Sequence, residues 1–248
     1  MGAGAVSKQS GLGDQLLIDG YVLSGDIGSL SRIGGGNTPV DMTAIDKLAM
    51  ERAGGILAGA IEFTSYFNDA AGQAHPVLSA LPTADRIATY LRGSGIGSPA
   101  ASLLSLQIGY DPTRAEDGSL TMNSSMQSTG GLPLEWGEQL TAGVRTDTAA
   151  TNGASFDGTA SSSFGGSAYL HVRSVTGTSV TVTLQDSADN SSWANITGGA
   201  FTAATTRGAQ RLAITGTVRR YVRAITSGTF TNAQFMVAFT RHQTAVSY

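Results

Sequence analysis

The chain contains no cysteine, which removes disulfides, thiolate zinc sites, iron-sulfur clusters and cysteine nucleophiles together. Charge is scarce too: charged side chains make up 13% of its 248 residues, about half the share of an ordinary soluble domain. A surface with so little charge suggests that neighbours shield it from water. Lys8 and Lys47 are the sole lysines, so strand edges lack the residue that most often blocks edge-to-edge pairing. No run of apolar residues approaches the ~18 needed to cross a membrane, which predicts no membrane insertion. The opening Met-Gly-Ala-Gly-Ala-Val-Ser-Lys has neither the positive start nor the apolar stretch of a secretory leader, which predicts synthesis in the cytoplasm.

What the chain does have is 33 glycines and 41% hydrophobic residues, a mixture that reads as many short strands joined by tight turns. Its charge is uneven. Residues 1–148 carry 8 basic and 15 acidic side chains, net −7, whereas residues 149–248 carry 7 and 3, net +4. The small polar segment around the change predicts a linker over residues 143–152, joining one unit at 1–142 to a second at 153–248.

In the first half, apolar stretches at residues 15–18 and 21–23 flank Asp19-Gly20, a hairpin dipeptide. Residues 27–33 read as a strand. From Gly34 to Gly55 the pattern lapses, with Gly34-Gly35-Gly36 and a weak helical stretch near Asp46, which predicts a long loop ordered by a partner. Residues 60–67 alternate: Ile61, Phe63, Ser65 and Phe67 point one way, Ala60, Glu62, Thr64 and Tyr66 the other. A helix is expected over residues 72–81, started near Pro76 and stopped by Pro82. Strands resume at 86–91, 101–110 and 119–127, the last with Leu120, Met122 and Met126 opposite Thr121, Asn123, Ser125 and Gln127. This half is a mainly antiparallel β unit with one helix.

The second half is all strand-like. Ala168, Leu170 and Val172, then Val180, Val182 and Leu184, then Val218, Val222 and Ala224, then Phe235, Val237 and Phe239 supply apolar faces at period two. Turn signals at Gly177, Asp186 to Asn190, Gly198-Gly199 and Gly228 separate them, and the spacing predicts a β-sandwich.

Signals for chemistry are weak. His75, His171 and His242 have no metal-ligand spacing, and no G-x-S-x-G elbow supports a triad. Gly93-Ser-Gly95-Ile-Gly97 lacks the setting of a dinucleotide site. Asp186, Asp189 and Asn190 read as an Asx-stabilised turn, and Arg219-Arg220-Tyr-Val-Arg223 splits its arginines between two strand faces. No catalytic residue, cofactor or metal is expected. A sandwich with exposed Trp193, Tyr169 or Tyr221 suits a carbohydrate or cell-surface binding module, an alternative to a purely structural role.

Leu17-Ile-Asp-Gly-Tyr with Ser24-Gly-Asp-Ile-Gly-Ser-Leu30, Glu51-Arg-Ala-Gly-Gly with Gly59-Ala-Ile-Glu-Phe-Thr-Ser-Tyr-Phe67, Ala74-His-Pro-Val-Leu-Ser-Ala-Leu-Pro82, Tyr110-Asp-Pro-Thr-Arg-Ala-Glu-Asp-Gly118 and Leu134-Glu-Trp-Gly137 resemble, in order, the major tail proteins of long, non-contractile-tailed bacteriophages. Leu184-Gln-Asp-Ser-Ala-Asp-Asn-Ser-Ser-Trp193 resembles the β-sandwich such proteins append. The resemblance implies a non-enzymatic virion subunit of the tail tube. Six copies would form a ring, rings would stack with other tail proteins at the tube ends, and the bore would conduct DNA into the host without binding it specifically. Glu62, Thr64, Thr121, Asn123, Ser125 and Gln127 are then expected toward the bore. Gly34, Gly35, Gly36, Asp41, Asp46, Lys47, Glu51 and Arg52 are expected at contacts between subunits or rings. Trp193, Tyr169 and Tyr221 are expected outside, where host surface glycans are conceivable partners. Capsid or tail decoration is the nearest rival.

Overall fold

Asp19 and Gly20 take positive φ, 47° and 80°, and so close the expected tight hairpin between β1 (Gln15–Ile18) and β2 (Tyr21–Val22). The computed structural model describes residues 10–81 and 83–246; Lys8 and Pro82 lie outside them. After this hairpin come β3 (Ile27–Asp41), β4 (Arg52–Tyr66), α1 (Ala74–Leu78), β5 (Arg86–Leu91), β6 (Pro99–Arg114), β7 (Leu120–Ser128), β8 (Glu135–Gln139) and β9 (Arg145–Asp147). Then follow β10 (Phe156–Asp157), β11 (Gly166–Ser187), β12 (Ala194–Ala200), β13 (Gly208–Ile214) and β14 (Tyr221–Arg241). The pairings are antiparallel throughout, so the chain is mainly β with one short helix.

The expected loop at residues 34–55 is a hairpin arm. β3 pairs with β4 from Ile27↔Ser65 out to Asp41↔Arg52, with Gly34, Gly35 and Gly36 opposite Ala60, Gly59 and Ala58. Residues 42–51 form its tip, held by Met42 N–H donating to Glu51 O at 2.9 Å and Thr43 Oγ1 to Asp41 Oδ1 at 2.6 Å. The arm is exposed on both faces, so selection for burial never imposed the alternation by which a strand is recognised. The expected helix is also shorter, because Gln73 is extended and Leu81 takes φ 41°. Its start is fixed from outside: Asp26 Oδ2 accepts from Ala74 N at 2.8 Å and Oδ1 from Asn68 Nδ2 at 2.7 Å.

β3, β4, β7 and the second part of β6 form a four-stranded portion of the continuous sheet. Its inner face contributes Ile61, Phe63 and Met126 to a core that also holds Leu16, Ile18 and Leu103. β1, β5 and the first part of β6 make the layer behind, and this layer is buried on both sides. Leu16 and Ile18 face the first core, whereas Leu17, with Ile87, Leu91 and Ala100, packs against Tyr169, Met236 and Ala238 of the second half. Arg86, buried within this layer, donates to Asp19 Oδ2 at 2.7 Å, Val77 O at 3.0 Å and Gln107 Oε1 at 2.8 Å.

In the second half every apolar residue of the four expected faces lies in one core. The turns expected at Gly177 and Gly228 instead lie inside β11 and β14, which pair along nearly their whole lengths, with register shifts flanking Gly177 and with Gly228 in register opposite Val180. At φ 132° and 115° these glycines let the strands bend. Both ends of β11 thereby reach the same core, which a straight strand of 22 residues, roughly 70 Å long, could not do. Gly198-Gly199 likewise lies within β12.

Residues 143–152 are not a free tether. Within them, β9 pairs with β14, and Asp147 is buried, accepting from Arg145 Nη2 and Thr226 Oγ1 at 2.7 Å each. Upstream, β8 pairs with β6 on one side and β14 on the other, so the sheet runs from one half into the next. Gly143 and Asp147 are buried while Thr146, Thr148, Ala149, Ala150, Thr151 and Asn152 stay exposed, and just past the segment the backbone packs closely, since a Cβ on Gly153 would lie 2.5 Å from Ala224 O.

Candidate functional site

The six residues expected on one polar face are brought together there. β4 and β7 place Glu62 opposite Ser125, Thr64 opposite Asn123, Ala60 opposite Gln127 and Tyr66 opposite Thr121. Thr64 Oγ1 donates to Asn123 Oδ1 at 2.9 Å, and Glu62 pairs with Arg32 of β3 at 3.5 Å. From β6, Ile108 and Asp111 join the same face opposite Ser125 and Asn123. A shallow depression of about 370 Å³ runs between Ser31, Glu62, Asp111, Asn123 and Gln127. The surface is thus broad, hydroxyl- and amide-rich and nearly neutral, with no nucleophile and base brought together on it.

Both sides of this sheet end in open edges among the described residues. β3 pairs with β4 alone, and β6 beyond Ser105 pairs with β7 alone. A bulge with Gly109 at φ 84° and then Pro112 interrupt the β6 edge, which limits pairing there to short runs.

The arm carries the second feature. Asp41, Asp46, Lys47, Glu51 and Arg52 lie on or beside its tip, with Lys47 and Glu51 3.5 Å apart. Sequence reading passed over the apolar side chains between them. Ile45 and Leu48 are fully exposed, and Val40, Met42, Met50, Ile56 and Leu57 are also exposed. So many large apolar side chains on one projecting hairpin mark a surface for association. Their sequence signal was apolar residues lying among charges without any period.

Of the three aromatics expected outside, Tyr169 is not at the surface. Tyr169 is fully buried, its hydroxyl donating to Glu135 and accepting from Arg211 Nε at 3.1 Å, and burial raises its pKa far above the ordinary phenol value. Trp193 is part-covered by Arg223, whose guanidinium carbon sits 4.1 Å from the ring centroid, and Arg220 lies 4.9 Å from that of Tyr221. The Asp189 turn is as expected: its carboxylate accepts from Ser191 N at 2.9 Å and Ser192 N at 2.8 Å, which lowers its pKa.

Two histidines sit where the halves meet. His171 is buried between β11 and the β1–β5 layer, with Nδ1 accepting from Gly20 N at 3.1 Å and Nε2 2.9 Å from Thr89 Oγ1. Burial pushes its pKa down to about 3. His242 Nε2 lies 3.0 Å from Glu135 Oε1, which also accepts from Ser167 Oγ at 3.0 Å. These contacts fasten strands together.

No protein-family model matches the chain, and no curated protein matches it. Among solved structures it is similar to a chain of the virion of a native gene transfer agent particle, at 18% identity over 51% of this chain and 98% of that one, TM-score 0.39. It is similar to the SPP1 Dit protein, described as a hub of the adsorption apparatus in phages infecting Gram-positive bacteria, at 9% identity over 92% and 98%, TM-score 0.32. A chain of the phage p2 baseplate in its activated conformation matches at 10% identity over 94% and 99%, TM-score 0.33.

Proposed function

We propose that the chain is a structural subunit of a phage tail tube, forming stacked, hexameric rings whose bore conducts DNA. The observation that carries this reading is the four-stranded sheet with one buried face, one polar face and an open edge on each side. Six such sheets joined edge to edge make a closed barrel of 24 strands. At ~4.8 Å per strand and ~40° tilt, its backbone diameter is roughly 50 Å, wide enough for duplex DNA inside a lining of side chains. Glu62, Thr64, Thr121, Asn123, Ser125 and Gln127 would line it. A lining with no basic excess favours passage, because it offers phosphates no counterion-releasing contacts.

The interrupted β6 edge makes lateral pairing short, so association needs a further contribution. The arm supplies it: burying Ile45 and Leu48 alone offers about 3–6 kcal/mol per contact. Its tip, including Asp46, Lys47 and Glu51, would contact the next subunit or ring. Negative-stain microscopy and light scattering on the purified protein test the proposal. Rings or tubes are expected for the native chain, and monomers for Ile45→Asp with Leu48→Asp, whose circular dichroism stays native because neither side chain is packed. A native chain that stays monomeric at high concentration and adds to no tube in virion extracts would refute it.

A further inference from the structure

With Tyr169 buried and arginines lying over Trp193 and Tyr221, the remaining indole is the one with an open surface. Trp136 is 51% exposed, held at one edge by Tyr90 in a T-shaped contact with centroids 6.3 Å apart. It stands two residues before Glu138 on β8, so both side chains leave the strand on one face. Phe156 and Asp157 from β10, with Arg241 at the end of β14 and Gln243 just after it, complete a groove of about 190 Å³. That is below the ~300–1,000 Å³ of sites enclosing drug-sized ligands, and suits a single small ring.

The polar groups of this groove define what would fill it. Glu138 is half-buried, and among the described residues its carboxylate has no hydrogen-bond or ion-pair partner; burial raises its pKa while the charge of Arg241 acts the other way. Arg241 is fixed by donating from Nη1 to Val218 O at 2.7 Å and Arg219 O at 2.9 Å, and from Nη2 to Arg220 O at 3.0 Å. Asp157 is held by Arg220 through two bonds of 2.7 and 2.6 Å. A cationic ligand would meet Arg241, and an anion would meet Glu138. A neutral group that both donates and accepts satisfies both, and an aromatic ring beside it favours a ligand with an apolar face. A pyranose has vicinal hydroxyls and such a face.

From this juxtaposition we propose that the groove between Trp136 and Glu138 is a binding site for a single neutral sugar ring, such as the end of a glycan. One face of the ring would rest on Trp136, and a hydroxyl would donate to Glu138 while accepting from the Arg241 or Gln243 side.

The chain has two tryptophans, so Trp193→Phe leaves Trp136 as the sole indole reporter. In that full-length background, made monomeric by the arm substitutions, fluorescence and NMR titrations use the methyl glycosides of glucose, galactose, rhamnose and N-acetylglucosamine. A saturable response to at least one, in the millimolar range usual for one ring, is expected. Glu138→Gln, nearly isosteric, should weaken it roughly tenfold through loss of a charge-assisted bond, with an unchanged thermal midpoint. Trp136→Ala should abolish it, read by NMR. The proposal is overturned by no saturable response to any glycoside, by binding indifferent to both substitutions, or by a groove that takes arginine methyl ester instead. None of these outcomes depends on ring formation, so this site and the tube subunit stand or fall separately.

Discussion

The buried imidazole of His171 should make the fold sensitive to mild acid in a way that one substitution removes. Its Nδ1 accepts the Gly20 N–H, so the neutral ring carries its proton on Nε2 and donates to Thr89 Oγ1. A second proton would have to sit on Nδ1, facing the Gly20 donor. Burial lowers the pKa to about 3 from 6.5. The unfolded chain therefore binds the extra proton first as the pH drops. The stability contributed is complete above about pH 6.5 and declines below it by ~1.4 kcal/mol per unit, until the folded ring itself titrates. Between pH 8 and 4.5 that amounts to roughly 3 kcal/mol. His171→Leu cannot titrate, but it leaves the Gly20 N–H buried without an acceptor, at a cost of about 1–3 kcal/mol, plus the bond to Thr89. Urea unfolding of the monomeric arm variant, with and without His171→Leu, should show the substituted chain weaker by about 2–4 kcal/mol at pH 8 and close to parity at pH 4.5. Carboxylates contribute equally to both chains and cancel in the difference. A gap that stays constant with pH would show that this ring is not the acid-sensitive element.

Gly20→Ala should be among the most damaging small substitutions, because its Cβ would lie 2.2 Å from Val172 O at a backbone φ of 80°; a urea midpoint within error of native would refute the close approach. Arg86→Met should cost about 3–5 kcal/mol by stranding the part-buried Asp19 carboxylate and Gln107, whereas Lys47→Met at an exposed pair should change stability by less than ~0.5 kcal/mol; similar losses in the two would contradict the burial argument. Truncation after Ala142 should give an insoluble or non-cooperative fragment, since Leu17, Ile87 and Leu91 lose their cover, roughly 5–9 kcal/mol against a typical domain stability of 5–15. A soluble fragment with a sharp melt would restore the idea of two independent units.

The strands whose inner and outer faces can be told apart from the sequence are those buried on one face. Residues 60–66 and 120–127 alternate because one side packs against Leu16 and Leu103 and the other meets water. Their polar members were correctly grouped for the same reason, a period of two being enough to place Glu62, Thr64, Asn123 and Ser125 together. The arm escaped because neither face is buried. The junction escaped for the opposite reason: Leu16-Leu17-Ile18 is apolar without alternation, which is the mark of a strand covered on both sides, and it was read as an ordinary hairpin strand. Tyr169 shows the same limit, since it shares its strand face with Ser167 and His171, and that polar company gives no sign that a second layer covers it.

The charge difference between the halves has a structural meaning different from a basic surface awaiting a polyanion. Arg219 is engaged by Asp186 at 2.8 Å, Arg220 by Asp157 and Arg223 by Gln185 at 2.7 Å. Arg241 binds backbone carbonyls, Arg211 binds Tyr169 and Ser167, and Arg207 donates to Arg173 O while lying 4.3 Å from the centroid of Tyr21. Most of the arginines in the second half are therefore committed to closing its own loops or to its contact with the first. The first half, by contrast, leaves Asp41, Asp46, Glu51, Asp111, Glu116 and Asp117 exposed. Nucleic acid would meet repulsion from one half and few available cations on the other. The two halves are joined through buried apolar and polar contacts, and among the described residues the sheet edges, the apolar arm and the groove at Trp136 are left open.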